Sequence, residues 1–219
     1  LALTNNLNNH MNWKNNNKYR MSLDEEEEET QVSPIQIMGG GMSIRVLENK
    51  IFFYEDITNE SILELNRLLV EVDTKLQNTK NIIGEGFDPI IHLRVKSNGG
   101  DLHAVLAAVD IIPTLRSKIY TYVDGCVASA GTMLTVIGKK RLMGKHAILM
   151  IHQLSTGMIG KYSEMEDTME NAANMMKFIK TFYKEYTKIP MKRLDELLKR
   201  DLFLSAEECL LYGFIDEIV

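Results

Sequence analysis

After Gln31 the spacing of apolar positions keeps switching between two periods. Short β-branched or aromatic runs alternate with stretches whose apolar residues recur every three or four positions, the rhythm of an α/β domain. Residues 43–46 and 50–54 predict two strands around a turn at Glu48-Asn49. Asn59 stands where it can cap a helix that carries Ile62, Leu65, Leu69 and Val72 on one face. Residues 77–88 read as a long polar connection to a strand at 89–96. Ser97-Asn98-Gly99-Gly100 then predicts a turn, followed by a helix from Asp101 with Leu102, Val105, Val109 and Ile112 on one side. The cycle repeats with a strand at 118–123 and a helix opened by the stretch GCVASAGTML, residues 125–134.

Strands are expected again at 141–143 and 147–151, the second ending at His152. A long helix should begin near Ser163, where Ser163 and Glu166 have capping-box spacing, and run to about 188. Pro190 forbids its continuation, so a separate helix at 191–200 carries Leu194, Leu197 and Leu198. A last helix starts at Ser205, with Glu208 completing a second capping box, and stops at Gly213.

Composition narrows this picture. The chain has 219 residues, 45% hydrophobic and 25% charged, which suits one core of useful size. We therefore expect one domain at 41–219 behind a tail at 1–40. The tail is Asn-rich and then acidic (Asp24, Glu25 to Glu29), a composition that predicts disorder. The chain opens at Leu1, and Met11 and Met21 are candidate starts inside that tail. The first 30 residues carry a net −3 of the total −5, leaving a nearly neutral body with no basic stripe, so nucleic acid is not an expected partner. No apolar run suggests a membrane span or a secretory signal. Two isolated cysteines, Cys126 and Cys209, read as reduced thiols and point to a cytoplasmic setting.

Three polar residues end apolar runs. Ser129 sits among small neighbours at a predicted helix start, where free N–H groups favour a developing negative charge. His152 is presented at a strand tip, as a general base would be, and Asp201 follows the helix at 191–200, where a carboxylate can fix a histidine tautomer. Each has a commoner structural reading: a cap or packing serine, a hydrogen-bonded core histidine, a surface aspartate. Gly99-Gly100 alone is a plain turn. Spacing does not show that these residues meet.

The ordered runs SNGGDLHAVLAAVDII, GCVASAGTML, AILMIHQ and KRDLFLSAEECLLYGFIDEI resemble the ClpP family, the proteolytic subunits of the Clp protease, over roughly residues 43–219. The last run is the most specific. It follows R-D-x-F-[LM]-[ST]-A-x-E-A-x-x-Y-G-x-[IV]-D from Arg200 to Asp216, with Cys209 where alanine is usual. The resemblance implies a ClpP/crotonase-like superhelix of repeated ββα units with a protruding strand-helix handle at about 154–188. It implies a serine endopeptidase with Ser129 as nucleophile, His152 as base, Asp201 as orienting partner and the Gly100 and Ala130 amides as oxyanion hole. Leu154, Ser155, Thr156 and Gly157 would lie beside an extended substrate. It further implies homo- or hetero-oligomeric rings, a heptamer or double ring, in the cytoplasm, plastid stroma or a host cytoplasm. No cofactor is expected in this chain; ATP would be used by a partner AAA+ unfoldase.

Three departures accompany it. Lys96-Ser97-Asn98-Gly99-Gly100 stands where N-S-P-G-G is usual, His92 and Arg94 replace two tyrosines of the unfoldase pocket, and the tail replaces a short pore loop. The second puts docking of a standard Clp ATPase in question. Against the peptidase stand an inactive structural or regulatory subunit of the same shape, which the intact Ser129, His152 and Asp201 disfavour, and a crotonase-like acyl-CoA enzyme, which needs no serine-histidine pair. A metal site from His92, His146 and His152 lacks any ligand spacing.

Overall fold

The computed structural model describes residues 44–219; the expected tail at 1–40 lies outside the described residues. Strands β1 (Ile44–Leu47) and β2 (Lys50–Phe53) pair antiparallel through a turn in which Glu48 takes a φ of +57°. β2 runs parallel to β3 (Ile90–Ser97), and β3 to β4 (Lys118–Ala128). Parallel neighbours need crossovers, and the helices α1 (Asn59–Ile83) and α2 (Leu102–Ile111) supply them. α3 (Gly131–Val136) leads to β5 (Lys140–Met143), which lies beside β4. Then follow β6 (Ile148–Met150), α4 (Tyr162–Tyr186), α5 (Met191–Leu198), β7 (Phe203–Leu204), α6 (Ala206–Leu211) and β8 (Glu217–Ile218). The sheet order is β1-β2-β3-β4-β5-β8; off that path β6 pairs with β4, and β7 pairs with β6.

Strand alternation decides which face is buried. On β3, Ile91, Leu93 and Val95 are fully buried, whereas His92 and Arg94 are half-buried on the other face. There His92 Nδ1 lies 2.7 Å from the Tyr122 hydroxyl, Arg94 donates twice to Asp124, and Tyr54 donates to the same carboxylate. The predicted helix stripes pack onto the core face: Ile62, Leu65, Leu69 and Val72 of α1, Val105 and Val109 of α2.

Several boundaries differ from the sequence expectation. α1 is capped by Thr58 rather than Asn59, because Thr58 and Ser61 bond reciprocally, and it runs to Ile83, absorbing most of the supposed connection at 77–88. α4 starts at Tyr162 with Glu164 accepting the Lys161 N–H, not at the Ser163–Glu166 box. The Ser205–Glu208 box forms as expected. β7 and β8 are two residues each, too short to show a period. Residues 151–160 carry no strand pairing among the described residues; the Gln153 N–H bonds the Leu198 carbonyl and the Leu154 N–H the Met176 sulfur.

β4 is the strand that reaches furthest from expectation, by five residues. Its first part, Tyr120 to Val123, pairs with β5; its second, Cys126 to Ala128, pairs with β6. Gly125, at φ +59°, makes the joint between the two partners. After it comes α3, every residue of which is buried. Threonines satisfy its carbonyls: Thr135 Oγ1 donates to the Thr132 carbonyl, and Thr121 Oγ1 to that of Thr135.

Arg141 closes the other end of the sheet by donating to the carbonyls of Tyr186 and Gly213 and to the Asp216 carboxylate. Its guanidinium holds the Asp216 carboxyl below the usual carboxylate range, against a desolvation cost. A depressed native value means stability present above the unfolded value of about 3.9 and lost as pH falls through the native one. Asp216→Asn should lower stability at pH 7, by under about 1 kcal/mol because the carboxylate is partly exposed. It should also weaken the loss of stability on acidification below about pH 4, read by denaturant unfolding at several pH values. An unchanged acid limb would contradict this.

Candidate active site

Two parallel strands end side by side and so deliver two side chains to one place. Cys126, Val127 and Ala128 of β4 lie opposite Ile148, Leu149 and Met150 of β6. One step past this ladder the Ser129 N–H still donates to the Met150 carbonyl at 2.8 Å, and two residues further along the second chain stands His152. Ser129 Oγ and His152 Nε2 are 2.7 Å apart. For Nε2 to accept the serine proton, the neutral ring must carry its hydrogen on Nδ1.

Ser129 takes a φ of +53°, a conformation unfavourable for a residue with a Cβ, in a sharp turn between strand and helix. Its neighbours make room. A Cβ on Gly99 would lie 2.5 Å from the Ser129 Cβ and 2.9 Å from the Ala128 carbonyl, and Gly99 itself has a φ of +98°. The adjoining Gly100 is pinned against Ile57, whose N–H donates to the Gly99 carbonyl and whose carbonyl accepts from Asp101; a Cβ on Gly100 would strike that carbonyl. Ser97 Oγ accepts the Gly99 N–H, and Ser97 packs on Gly131 at the start of α3. The turn thus keeps its shape through Ser97 and Ile57, with Asn98 and no proline ahead of the glycine pair. Among the described residues, the Gly100 and Ala130 N–H groups meet no acceptor.

Gly100, Ser129, Ala130 and His152 share the wall of a cavity of about 840 Å³. Leu154, Ser155 and Thr156 line it too, and also a smaller hollow against α4; Gly157 is exposed and lines neither. Sequence reasoning missed that α4 roofs the cavity with Met175, Phe178, Ile179 and Tyr183. Their three- and four-residue spacing was the available signal.

Asp201 is exposed, and among the described residues it makes no hydrogen bond or ion pair. The antiparallel β6–β7 register sets Leu149 opposite Leu204 and Met150 opposite Phe203. Continued by two steps, that register would face His152 with Asp201, but pairing stops at Phe203, and the Gln153 N–H bonds the Leu198 carbonyl instead. No three His, Cys, Asp or Glu side chains converge as metal ligands among the described residues, and no described helix is long and apolar enough to cross a membrane.

Comparison with known proteins places this arrangement. The family model for Clp protease matches residues 45–219. The chain is 29% identical over 176 residues to the ATP-dependent Clp protease proteolytic subunit 2 of Chlamydia muridarum, covering 78% of this chain and 87% of that protein. The subunit 2 of Chlamydia pneumoniae gives the same figures. A solved ClpP1 mutant from Listeria monocytogenes superposes with a TM-score of 0.66 at 22% identity, over 78% of this chain and 91% of that one, so the fold is of the ClpP type. The chain belongs to the Clp protease family.

The close approach at Gly99 generates a paired prediction. Gly99→Ala should destabilise the chain by about 2 kcal/mol or more, from positive-φ strain and the clash with Ser129. Gly157→Ala, with open space around it, should shift stability by less than about 0.5 kcal/mol. Equal denaturant midpoints for the two variants would contradict the packing described here.

Proposed function

We propose that this chain is a serine endopeptidase that cleaves peptides and unfolded proteins, with Ser129 as nucleophile and His152 as general base. The observation that carries this reading is the 2.7 Å contact between Ser129 Oγ and His152 Nε2 at the wall of a cavity, beside two amides that meet no acceptor among the described residues. Ser129 Oγ attacks the scissile carbonyl carbon while His152 Nε2 takes its proton. The carbonyl oxygen becomes an oxyanion, stabilised by the N–H groups of Gly100 and Ala130. His152 then returns the proton to the leaving amine as the C–N bond breaks. Water, deprotonated by the same ring, attacks the acyl-enzyme and releases the acid and the serine hydroxyl.

Asp201 is the carboxylate for His152 Nδ1 in this reading. Support comes from the β6–β7 register, whose extension by two steps would set the two residues opposite each other. Substrate lies along Leu154, Ser155, Thr156 and Gly157 as an added strand, supplying the pairing that residues 151–160 lack.

Assembly into a ring belongs to the same proposal. The first half of α4 and the segment before it expose Met158, Ile159, Tyr162, Met165 and Met169, an apolar face suited to other copies of the chain. The relatives are ATP-dependent by name; for this chain ATP would be used by a partner unfoldase, docking on a face altered by the His92–Tyr122 and Arg94–Asp124 contacts. The two free thiols, Cys126 and Cys209, fit a reducing cytoplasm or its equivalent.

Ser129→Ala should lower hydrolysis of a fluorogenic peptide roughly 10³-fold or more with the fold intact; undiminished turnover would sink the proposal. Asp201→Asn should cost roughly 10²- to 10⁴-fold in kcat, and a wild-type rate would remove Asp201 from the mechanism.

A further inference from the structure

A buried chain of hydroxyl groups reaches the backbone carbonyl of Ser129. The Ser129 carbonyl accepts two hydrogen bonds, both from Thr132: from its N–H at 3.0 Å and from its Oγ1 at 2.7 Å. Thr132 Oγ1 in turn lies 2.6 Å from the hydroxyl of Tyr183 on α4. A threonine hydroxyl has a single hydrogen. Since that hydrogen goes to Ser129, Tyr183 must donate to Thr132. The chain therefore has one direction, from Tyr183 O–H through Thr132 Oγ1–H to the Ser129 carbonyl. Thr132 is fully buried and Tyr183 nearly so. Burial pushes the Tyr183 phenol up to about 12, so it remains a donor over the range in which a peptidase is assayed.

The consequence follows from peptide geometry. The Ser129 C=O and the Ala130 N–H belong to one planar, trans peptide group, so they point in opposite directions and turn together. Fixing the carbonyl on Thr132 aims the Ala130 N–H away from it, and Ala130 lies at the cavity wall with no acceptor among the described residues. Ser129 sits at φ +53°, where its backbone is not held by intrinsic preference, so the surroundings must supply the restraint. On the N–H side Met150 supplies it; on the C=O side, among the described residues, only Thr132 does.

We propose that Thr132 and Tyr183 are positioning residues that orient the Ser129–Ala130 peptide group and thereby aim the oxyanion donor. The inference rests on the reading of Ser129 as nucleophile and the Ala130 amide as oxyanion donor. A restraint on an oxyanion donor acts in the transition state and not on bound substrate, so its loss lowers kcat and leaves KM in place. A purely structural role for the two hydroxyls would lower the unfolding midpoint and leave kcat per folded molecule unchanged.

The test uses the full chain and a fluorogenic peptide, with folded fraction and oligomeric state measured for every variant. Thr132→Val should lower kcat roughly tenfold or more, with KM within about twofold. Thr132→Ser, which keeps the hydroxyl, should retain most of the activity. Tyr183→Phe, which removes one oxygen from an otherwise unchanged ring, should lower kcat by a smaller factor. The Tyr183→Phe/Thr132→Val double variant should be no slower than Thr132→Val alone, because Tyr183 acts through Thr132. Wild-type kcat in Thr132→Val, equal losses in Thr132→Ser and Thr132→Val, or losses that multiply in the double variant would each overturn the inference. If Thr132→Val does not fold, Tyr183→Phe carries the same test, and wild-type kcat in it overturns the inference. A wild-type chain without hydrolysis overturns the peptidase reading and this inference together, whereas an active wild type with unaffected variants overturns this inference alone.

Discussion

The whole site hangs on the parallel pairing of β4 with β6. That ladder puts Ala128 beside Met150, extends by one more bond from the Ser129 N–H to the Met150 carbonyl, and so fixes how far apart a serine and a histidine can be when each chain leaves the sheet. Ligand and catalytic groups gather at the carboxyl ends of parallel strands because both strands point the same way there and both chains must turn. Here the turn after β4 is tight enough to require Gly99 alongside it, and the chain after β6 lines the cavity with Leu154, Ser155 and Thr156. Gly125 matters for the same reason. It lets β4 release β5 and take β6, without which His152 would not reach the serine.

Strain at Ser129 and the restraints around it form one unit. A non-glycine residue at φ +53° costs on the order of 1–3 kcal/mol and persists only where its surroundings over-determine it. Met150 holds the N–H, Thr132 holds the carbonyl, Gly99 provides the space, and the buried threonines of α3 fix the helix that follows. Two faces of the structure divide the labour. The core face of the sheet and α1 to α3 make a rigid frame, while α4 reaches over the cavity and sends Tyr183 back into that frame.

Much of this was legible in the sequence where period and punctuation are strong. The helical stripe of α1, the alternation on β3, the glycine pair and the Ser205–Glu208 box all appear where their patterns put them. Ser129 and His152 were visible as polar residues ending apolar runs, but their meeting depended on the β4–β6 register, a long-range pairing that no local pattern encodes. The strand extension 124–128 was hidden because Gly125 reads as a breaker, and the helix to Ile83 because its last turns are polar. Thr132 and Tyr183, fifty-one residues apart, join through a single contact that neither neighbourhood suggests.

The most direct measurement is mass-spectrometric mapping of a fluorophosphonate probe on the wild-type chain and on His152→Ala. Covalent modification confined to Ser129 and lost in the histidine variant is what an activated serine predicts. A folded wild-type chain left unmodified at Ser129, or modified equally in both proteins, would contradict it and leave the 2.7 Å contact as packing alone.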